Sequence, residues 1–108
     1  FVYNIATNQW SKVITDERIY GHDARSVFAY DEKSDTFLLA FPPAGRGKKL
    51  KLAAFHLTTN RWEIIEANGP AVPEIKYGGY MGYYDPRHNA LVVQGRYSDR
   101  IWVYRHRK

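Results

Sequence analysis

Short apolar stretches and polar turns alternate along the whole chain. Segments of four to eight residues rich in Val, Ile, Leu, Phe and Tyr are separated by Gly, Pro, Asn, Asp and Ser, which is typical of β-strands joined by turns. No segment keeps the 3.6-residue period of an amphipathic helix over a window of about eleven residues. The pattern predicts an all-β chain with strands at 1–5, 10–14, 26–31, 36–41, 50–57, 61–66, 80–85, 89–95 and 100–106.

The chain also repeats itself. The stretch YNIATNQW, Tyr3 to Trp10, returns fifty-two positions later as FHLTTNRW, Phe55 to Trp62. A second motif, in which an aromatic residue and Asp precede a short polar turn and an apolar run, occurs at 29–39 and again at 83–93. A third, partial copy of the first motif begins at Ile101. Periods near fifty residues are typical of propellers and solenoids.

The ring-to-Trp spacing, followed by a loop and an aromatic–Asp–turn–apolar strand pair, resembles the Kelch repeat of galactose-oxidase-like β-propellers. The resemblance implies that each repeat forms one blade of four antiparallel strands, lettered a at the inside to d at the outside. Residues 26–66 would then form a complete blade, 1–14 strands c and d of the blade before it, and 80–106 strands a to c of the last blade. The whole of 1–108 would be a single propeller segment.

The repeat departs from the Kelch pattern in one respect. The Gly-Gly doublet at the end of strand b is replaced by Ala40-Phe41 and by Gln94-Gly95, which indicates a degenerate repeat. Since propellers close with about four to eight blades, we expect the chain to be the C-terminal portion of a six- or seven-bladed propeller. The alternative is a homo-oligomer, for example a trimer, in which copies complete the ring.

The repeated rings are expected to be packing residues. A repeat of this kind cannot bury both of its faces alone and needs neighbours. We therefore expect Trp10 and Trp62 to lie where neighbouring blades pack, and Tyr30, Phe37 and Tyr84 to lie in the core.

The connections fall into two groups. In an antiparallel blade the a–b and c–d turns share one rim, and the b–c and d–a connections share the other. The first group is short, whereas the second runs over 15–25, 42–49, 67–79 and 96–100. Long loops on a rigid scaffold commonly carry binding, and arginine and tyrosine suit it by charge-assisted bonds and flat contact area. The predicted ligand-binding residues of this loop face are Arg25, Arg46, Lys48, Tyr77, Tyr80, Arg96, Tyr97 and Arg100.

Composition excludes several kinds of site. The chain contains no Cys, so it can form neither a disulfide framework nor a Cys-based zinc site. The longest purely apolar run, 37–41, is too short to span a bilayer. No signal-peptide pattern is present, so we expect no membrane contact and leave the compartment open.

The sequence contains none of the common catalytic motifs considered next. HExxH, GxSxG and phosphate-loop patterns do not occur, and the four His residues are not expected to converge. The sequence therefore predicts no catalytic residue, metal or cofactor. The basic cluster at 46–51 could neutralise phosphates, but a solvated hairpin loop is favoured and nucleic acid is an unlikely partner.

Three functional hypotheses follow. The leading one is a non-enzymatic propeller segment that binds a protein or an anionic ligand at its loop face, with the formal charge of +5 favouring acidic partners. The alternative is part of a sugar-handling enzyme or lectin of the galactose-oxidase-like group that acts on acidic glycans. In the third, the propeller only supports a neighbouring catalytic domain.

Overall fold

The protein is all-β in the part that its computed structural model describes, residues 1–12, 16, 19, 26–41, 50–69, 72, 79–95 and 100–106. No helix occurs in these residues. Their nine strands each overlap a strand that the apolar pattern predicted, so the all-β fold class is confirmed. The strands are β1 (Val2–Asn4), β2 (Gln9–Ser11), β3 (Val27–Asp31), β4 (Thr36–Phe41), β5 (Lys51–His56), β6 (Arg61–Ile65), β7 (Tyr80–Asp85), β8 (Ala90–Gly95) and β9 (Ile101–Arg105).

The described strands form three antiparallel sheets. β1 and β2 make a two-stranded sheet, which we call the first hairpin. β3 to β6 form a four-stranded sheet, and β7 to β9 form a three-stranded sheet. Within each sheet, strands that are consecutive in the sequence pair with each other, so each sheet is a simple meander.

One kind of turn closes all four hairpins that have a four-residue loop in the described chain. The last loop residue has a positive φ in each case, and Asn or Asp is the residue that tolerates this left-handed backbone best after Gly. These residues are Asn8 (54°), Asp35 (53°), Asn60 (55°) and Asn89 (50°). The left-handed backbone at the end of each loop is thus explained by the Asn or Asp in the sequence at that position.

A side-chain oxygen closes three of these turns from the preceding strand. Asn4 Oδ1 accepts hydrogen bonds from the backbone amides of Ala6 at 3.0 Å and Thr7 at 3.2 Å. Asp31 and Asp85 accept likewise from the amide two residues further on, at 3.1 and 2.9 Å. Such local bonds replace the backbone partners that a turn residue lacks.

A tyrosine hydroxyl spans the same three turns. It donates to the side chain of the left-handed Asn or Asp five residues later, so the ring before the turn and the last turn residue fix each other. The bonds are Tyr3 to Asn8, Tyr30 to Asp35 at 2.6 Å, and Tyr84 to Asn89 at 2.7 Å.

The main core lies between the four-stranded and three-stranded sheets. Its buried residues come from both sheets: Val27, Leu38, Ala40, Ala54, Tyr80, Leu91 and Val93. The inner strands β3 and β7 touch, and Gly82 lies at this contact. A Cβ at Gly82 would overlap the backbone carbonyl of Val92 and lie 3.0 Å from Cγ1 of Val27. Only glycine therefore fits here without a shift, chiefly because of the Val92 carbonyl in the neighbouring strand β8.

The other face of the four-stranded sheet carries a row of rings. Tyr30, Phe37, Phe55 and Trp62 lie directly opposite one another across successive strands, and we call them the ring row. Beside this row, a second cluster buries Ile19, Leu39, Phe41 and Ala53, with Trp62 and Ile64 packed against it. The two faces of this sheet thus differ, one being small and aliphatic and the other aromatic.

Candidate functional site

Two of the eight predicted loop-face residues lie in the described part of the chain. Tyr80 begins β7, and Arg100 immediately precedes β9. The other six lie outside the described residues: Arg25, Arg46, Lys48, Tyr77, Arg96 and Tyr97. Whether the eight side chains converge stays a prediction.

Tyr80 and Arg100 have different surroundings. The Tyr80 side chain is 7% exposed and belongs to the main core with Val27 and Val93. Its ring therefore packs the two sheets together, and a part in ligand binding stays a prediction. Arg100 is exposed at the end of a long connection, which suits a residue that meets a partner.

One polar group of the described chain crosses three strands. Thr36 Oγ1 on β4 lies 3.3 Å from His56 Nδ1 on β5, and His56 Nε2 lies 2.8 Å from Glu63 Oε2 on β6. Hydroxyl, imidazole and carboxylate in this order are the parts of a nucleophilic triad. The register places them together, since Thr36 lies directly opposite His56.

The geometry of this group prevents nucleophilic catalysis by the Thr36 hydroxyl. The Thr36 side chain is fully buried, at 0% exposed, and its hydroxyl donates to the carbonyl oxygen of Ser34 at 3.0 Å. A nucleophile needs an accessible oxygen whose proton points at the base. The arrangement therefore ties β4, β5 and β6 together. Sequence analysis missed it because the cross-strand register is needed to see that the three side chains meet.

Titratable groups on the rim of short turns form hydrogen bonds that stabilise those turns. His88 Nδ1 lies 2.6 Å from Asp85 Oδ2, and this hydrogen bond is the main cause that lowers the pKa of the Asp85 carboxyl. The hydrogen bond from Tyr30 to Asp35 is the main cause that raises the pKa of the Tyr30 hydroxyl. In the residues that the structure describes, no group of three or more His, Asp or Glu could hold a metal ion.

One exposed feature of the described chain is apolar. Met81, Tyr83, Ile101 and Val103 are all more than half exposed and lie on the side of the three-stranded sheet that faces away from the core; we call this the outer face. Exposed apolar patches on a soluble protein commonly mark interaction sites. The signal in the sequence is the two-residue alternation of β7 and β9, which shows two faces but not which one is covered.

Comparison with known proteins identifies no relative. No protein-family model matches the chain, and neither a curated protein nor a solved structure does. Among the described residues, no helix has the length and apolar character needed to cross a membrane. The Kelch resemblance therefore rests on the motifs of this sequence.

Proposed function

We propose that the chain is a segment of a Kelch-like β-propeller that binds a protein or an anionic ligand, without catalysis, at its loop face. The observation that carries this proposal is the direction in which the sheets stack. The small, aliphatic face of the four-stranded sheet covers the ring-bearing face of the three-stranded sheet.

The repeat makes this direction visible. Tyr84 and Tyr104 of the three-stranded sheet occupy the positions that Tyr30 and Phe55 occupy in the four-stranded sheet. Both Tyr84 and Tyr104 pack against the main core. In the contact between these two sheets, the three-stranded sheet therefore offers its rings and the four-stranded sheet its small face.

Stacking in one direction leaves two unlike ends. Phe28 and Tyr30 remain exposed on the ring-bearing face at one end, and the outer face remains exposed at the other. Since the ends occupy the repeat positions of two surfaces that already pack on each other, further sheets can be added head to tail. Head-to-tail contacts give a ring when the rotation closes, which is the arrangement of a propeller.

Binding at the loop face is supported by charge and placement. The formal charge of +5 favours acidic partners through long-range attraction. Exposed Arg100 lies at the rim opposite the short turns, because β8 runs from the turn at 86–89 to the connection at 96–100. A charge on this rim can form charge-assisted bonds with carboxylate or phosphate groups.

The scaffold is tested by the solution mass of the 108-residue chain. We expect light scattering to give a folded species heavier than one copy, and Tyr83→Glu on the outer face to reduce it to one copy. Lys33→Glu, an exposed change in a short turn, is the matched control and should leave the mass unchanged. A folded wild-type chain that remains monomeric would argue against open, stackable ends.

The binding site is tested by charge reversal. Screening against sialylated, uronic and neutral glycans should find acidic ligands, and the double change Arg96→Glu with Arg100→Glu should abolish their binding. Arg87→Glu adds the same type of charge at the opposite rim and should preserve binding. Unchanged affinity of the double variant for the glycan would contradict binding at the loop face. Consumption of the glycan by the wild-type chain would favour the enzyme alternative.

A further inference from the structure

Among the described strands, β9 forms an edge of the three-stranded sheet and pairs on one side only. In the described chain, the sheet order ends β8-β9, whereas the four-stranded sheet continues from the equivalent strand β5 to β6. The first hairpin and the β5–β6 hairpin both place a ring opposite Trp at this step. The ring centroids of Tyr3 and Trp10 lie 5.1 Å apart, and those of Phe55 and Trp62 lie 5.0 Å apart.

Tyr104 is the corresponding ring in β9. It lies opposite Leu91 of β8 and packs on the main core, as Phe55 lies opposite Phe37 of β4. We propose that β9 binds an extended segment of a separate polypeptide as an added antiparallel strand, and that this segment places Trp opposite Tyr104. Strand addition supplies affinity through main-chain hydrogen bonds and specificity through alternate side chains.

The chain itself has no Trp to place there. It contains three Trp residues. Trp10 lies opposite Tyr3, Trp62 lies opposite Phe55, and Trp102 belongs to β9. A Trp opposite Tyr104 would therefore come from outside these 108 residues.

β9 also lacks the usual protection of an edge strand. Natural edge strands discourage pairing with Lys, Pro or inward-pointing charges. The five residues of β9, IWVYR, contain neither Lys nor Pro, and the one charge lies at the end of the strand. Ile101 and Val103 are exposed on the outer face, so the edge is flanked by apolar surface.

The β5–β6 pair predicts which side chains the added strand needs. Trp102 takes the place that Ala53 holds in β5, since each lies opposite the equivalent residue of the neighbouring strand. Ala53 faces Ile64, but the larger Trp102 leaves room only for a small residue. We therefore expect Ala or Gly opposite Trp102.

The two ends of the pairing are set by charge and by apolar contact. Arg105 takes the place of His56, so an acidic residue opposite it is favoured. Val103 and Ile101 belong to the exposed outer face and favour apolar partners. In the order of an antiparallel strand, the preferred segment is Glu-Trp-Val-Ala-Val.

Binding is tested with a fluorescein-labelled synthetic peptide that carries this segment, using fluorescence anisotropy with the 108-residue chain. We expect saturable binding that weakens about tenfold when the peptide Trp is replaced by Ala, because a ring pair and its buried area are lost. Tyr104→Leu in the protein should weaken binding similarly while circular dichroism shows the fold intact. Absence of binding to the wild-type chain would overturn the proposal.

Backbone methylation separates strand addition from unspecific apolar contact. Two peptides of identical side chains are methylated on alternate amides, one set facing β9 and the other facing away. The peptide methylated on the amides that face β9 should lose binding, and the peptide methylated on the amides that face away should retain it. Equal affinity of the two peptides would rule out an added strand. If a second copy fills the edge instead, peptide binding will fall as protein concentration rises and Trp10→Ala will restore it; that result also overturns the proposal of a separate polypeptide.

This inference requires only the edge of the three-stranded sheet. It does not rest on the loop face or on ring closure, so the glycan screen and the peptide titration can fail independently.

Discussion

The first hairpin and the β5–β6 hairpin are two copies of one motif in different surroundings. Their ring and Trp lie at nearly the same distance and tilt, 47° in one and 52° in the other. The last loop residue is a left-handed Asn in both. Yet every strand residue of the first hairpin is exposed, whereas Phe55 is 3% exposed.

The difference shows what the motif encodes. Ring pair, turn and register follow from residues at most thirteen positions apart, so they form in both hairpins. Burial depends on β4, which lies beside β5 and brings Phe37 opposite Phe55. Among the described strands, β1 has only β2 as a neighbour. Because a two-stranded hairpin alone is marginally stable, we expect the first hairpin to open locally at low cost.

The largest expected effect comes from removing the equivalent ring in each hairpin. Phe55→Ala should lower the free energy of unfolding by about 3 kcal/mol, because it leaves a cavity beside β4. Tyr3→Ala should cost about 1 kcal/mol or less, since the ring is 41% exposed. Urea unfolding followed by fluorescence measures both.

The matched change at the partner ring controls for the residue type. Trp10 is 69% exposed, and Trp62 packs against the second buried cluster. Trp62→Ala should therefore be the more destabilising of the two. Equal costs in the two hairpins would mean that the first hairpin is also buried in solution.

A smaller effect is expected at the turns. Asn60→Ala forces Ala into a positive φ and should cost about 1 kcal/mol, seen as a lower free energy of unfolding. Asn8→Ala carries the same local strain but should appear as faster amide exchange confined to the first hairpin. Asn60→Gly is the control and should be nearly neutral, because Gly adopts this backbone freely. An Asn60→Ala variant with an unchanged free energy of unfolding would contradict the turn conformation that the four hairpins share.

The smallest expected effect concerns pH. His88 holds the pKa of Asp85 below its ordinary value in the folded protein. The resulting stabilisation is full above the unfolded pKa and is lost as pH falls through the lower, folded pKa. Asn4 occupies the equivalent place in the first hairpin and does not titrate.

Amide exchange measures this contrast. In acid, exchange at Arg87 should quicken relative to its neutral-pH protection, whereas Thr7 should show no step from its own turn residue. His88→Ala should raise the pKa of Asp85 in a nuclear magnetic resonance titration. An unchanged titration would show that the hydrogen bond has no effect on the carboxyl.

Much of the fold could be predicted because strands and turns are local. Alternation of apolar residues located the nine strands, and Asn or Asp located the turns. A finer rule became visible only with the backbone angles. A ring, then Asn, Asp or His, then three residues and a left-handed Asn or Asp recurs from Tyr3, Tyr30, Phe55 and Tyr84. The repeat seen near fifty residues is therefore built from two hairpins of similar design.

The candidate site was less predictable. Tyr80 follows two glycines at the end of a long connection, and its packing in the core was not visible from that position; its part in ligand binding stays a prediction. The length of a loop indicates where a residue lies along the chain, but it does not predict whether neighbouring strands bury the side chain. The outer face and the open edge of β9 depend on which neighbours are present, so strand patterns did not reveal them.

The sequence by itself determined the strands, the turn type and the ring pairs within hairpins, since each depends on backbone preference or nearby side chains. The tertiary structure decided which copy of each motif is buried and which is exposed. It joined Thr36, His56 and Glu63 across three strands and turned the rings of the three-stranded sheet towards the four-stranded one. The physical reason is that burial is set by the neighbouring sheet, which a local pattern does not specify.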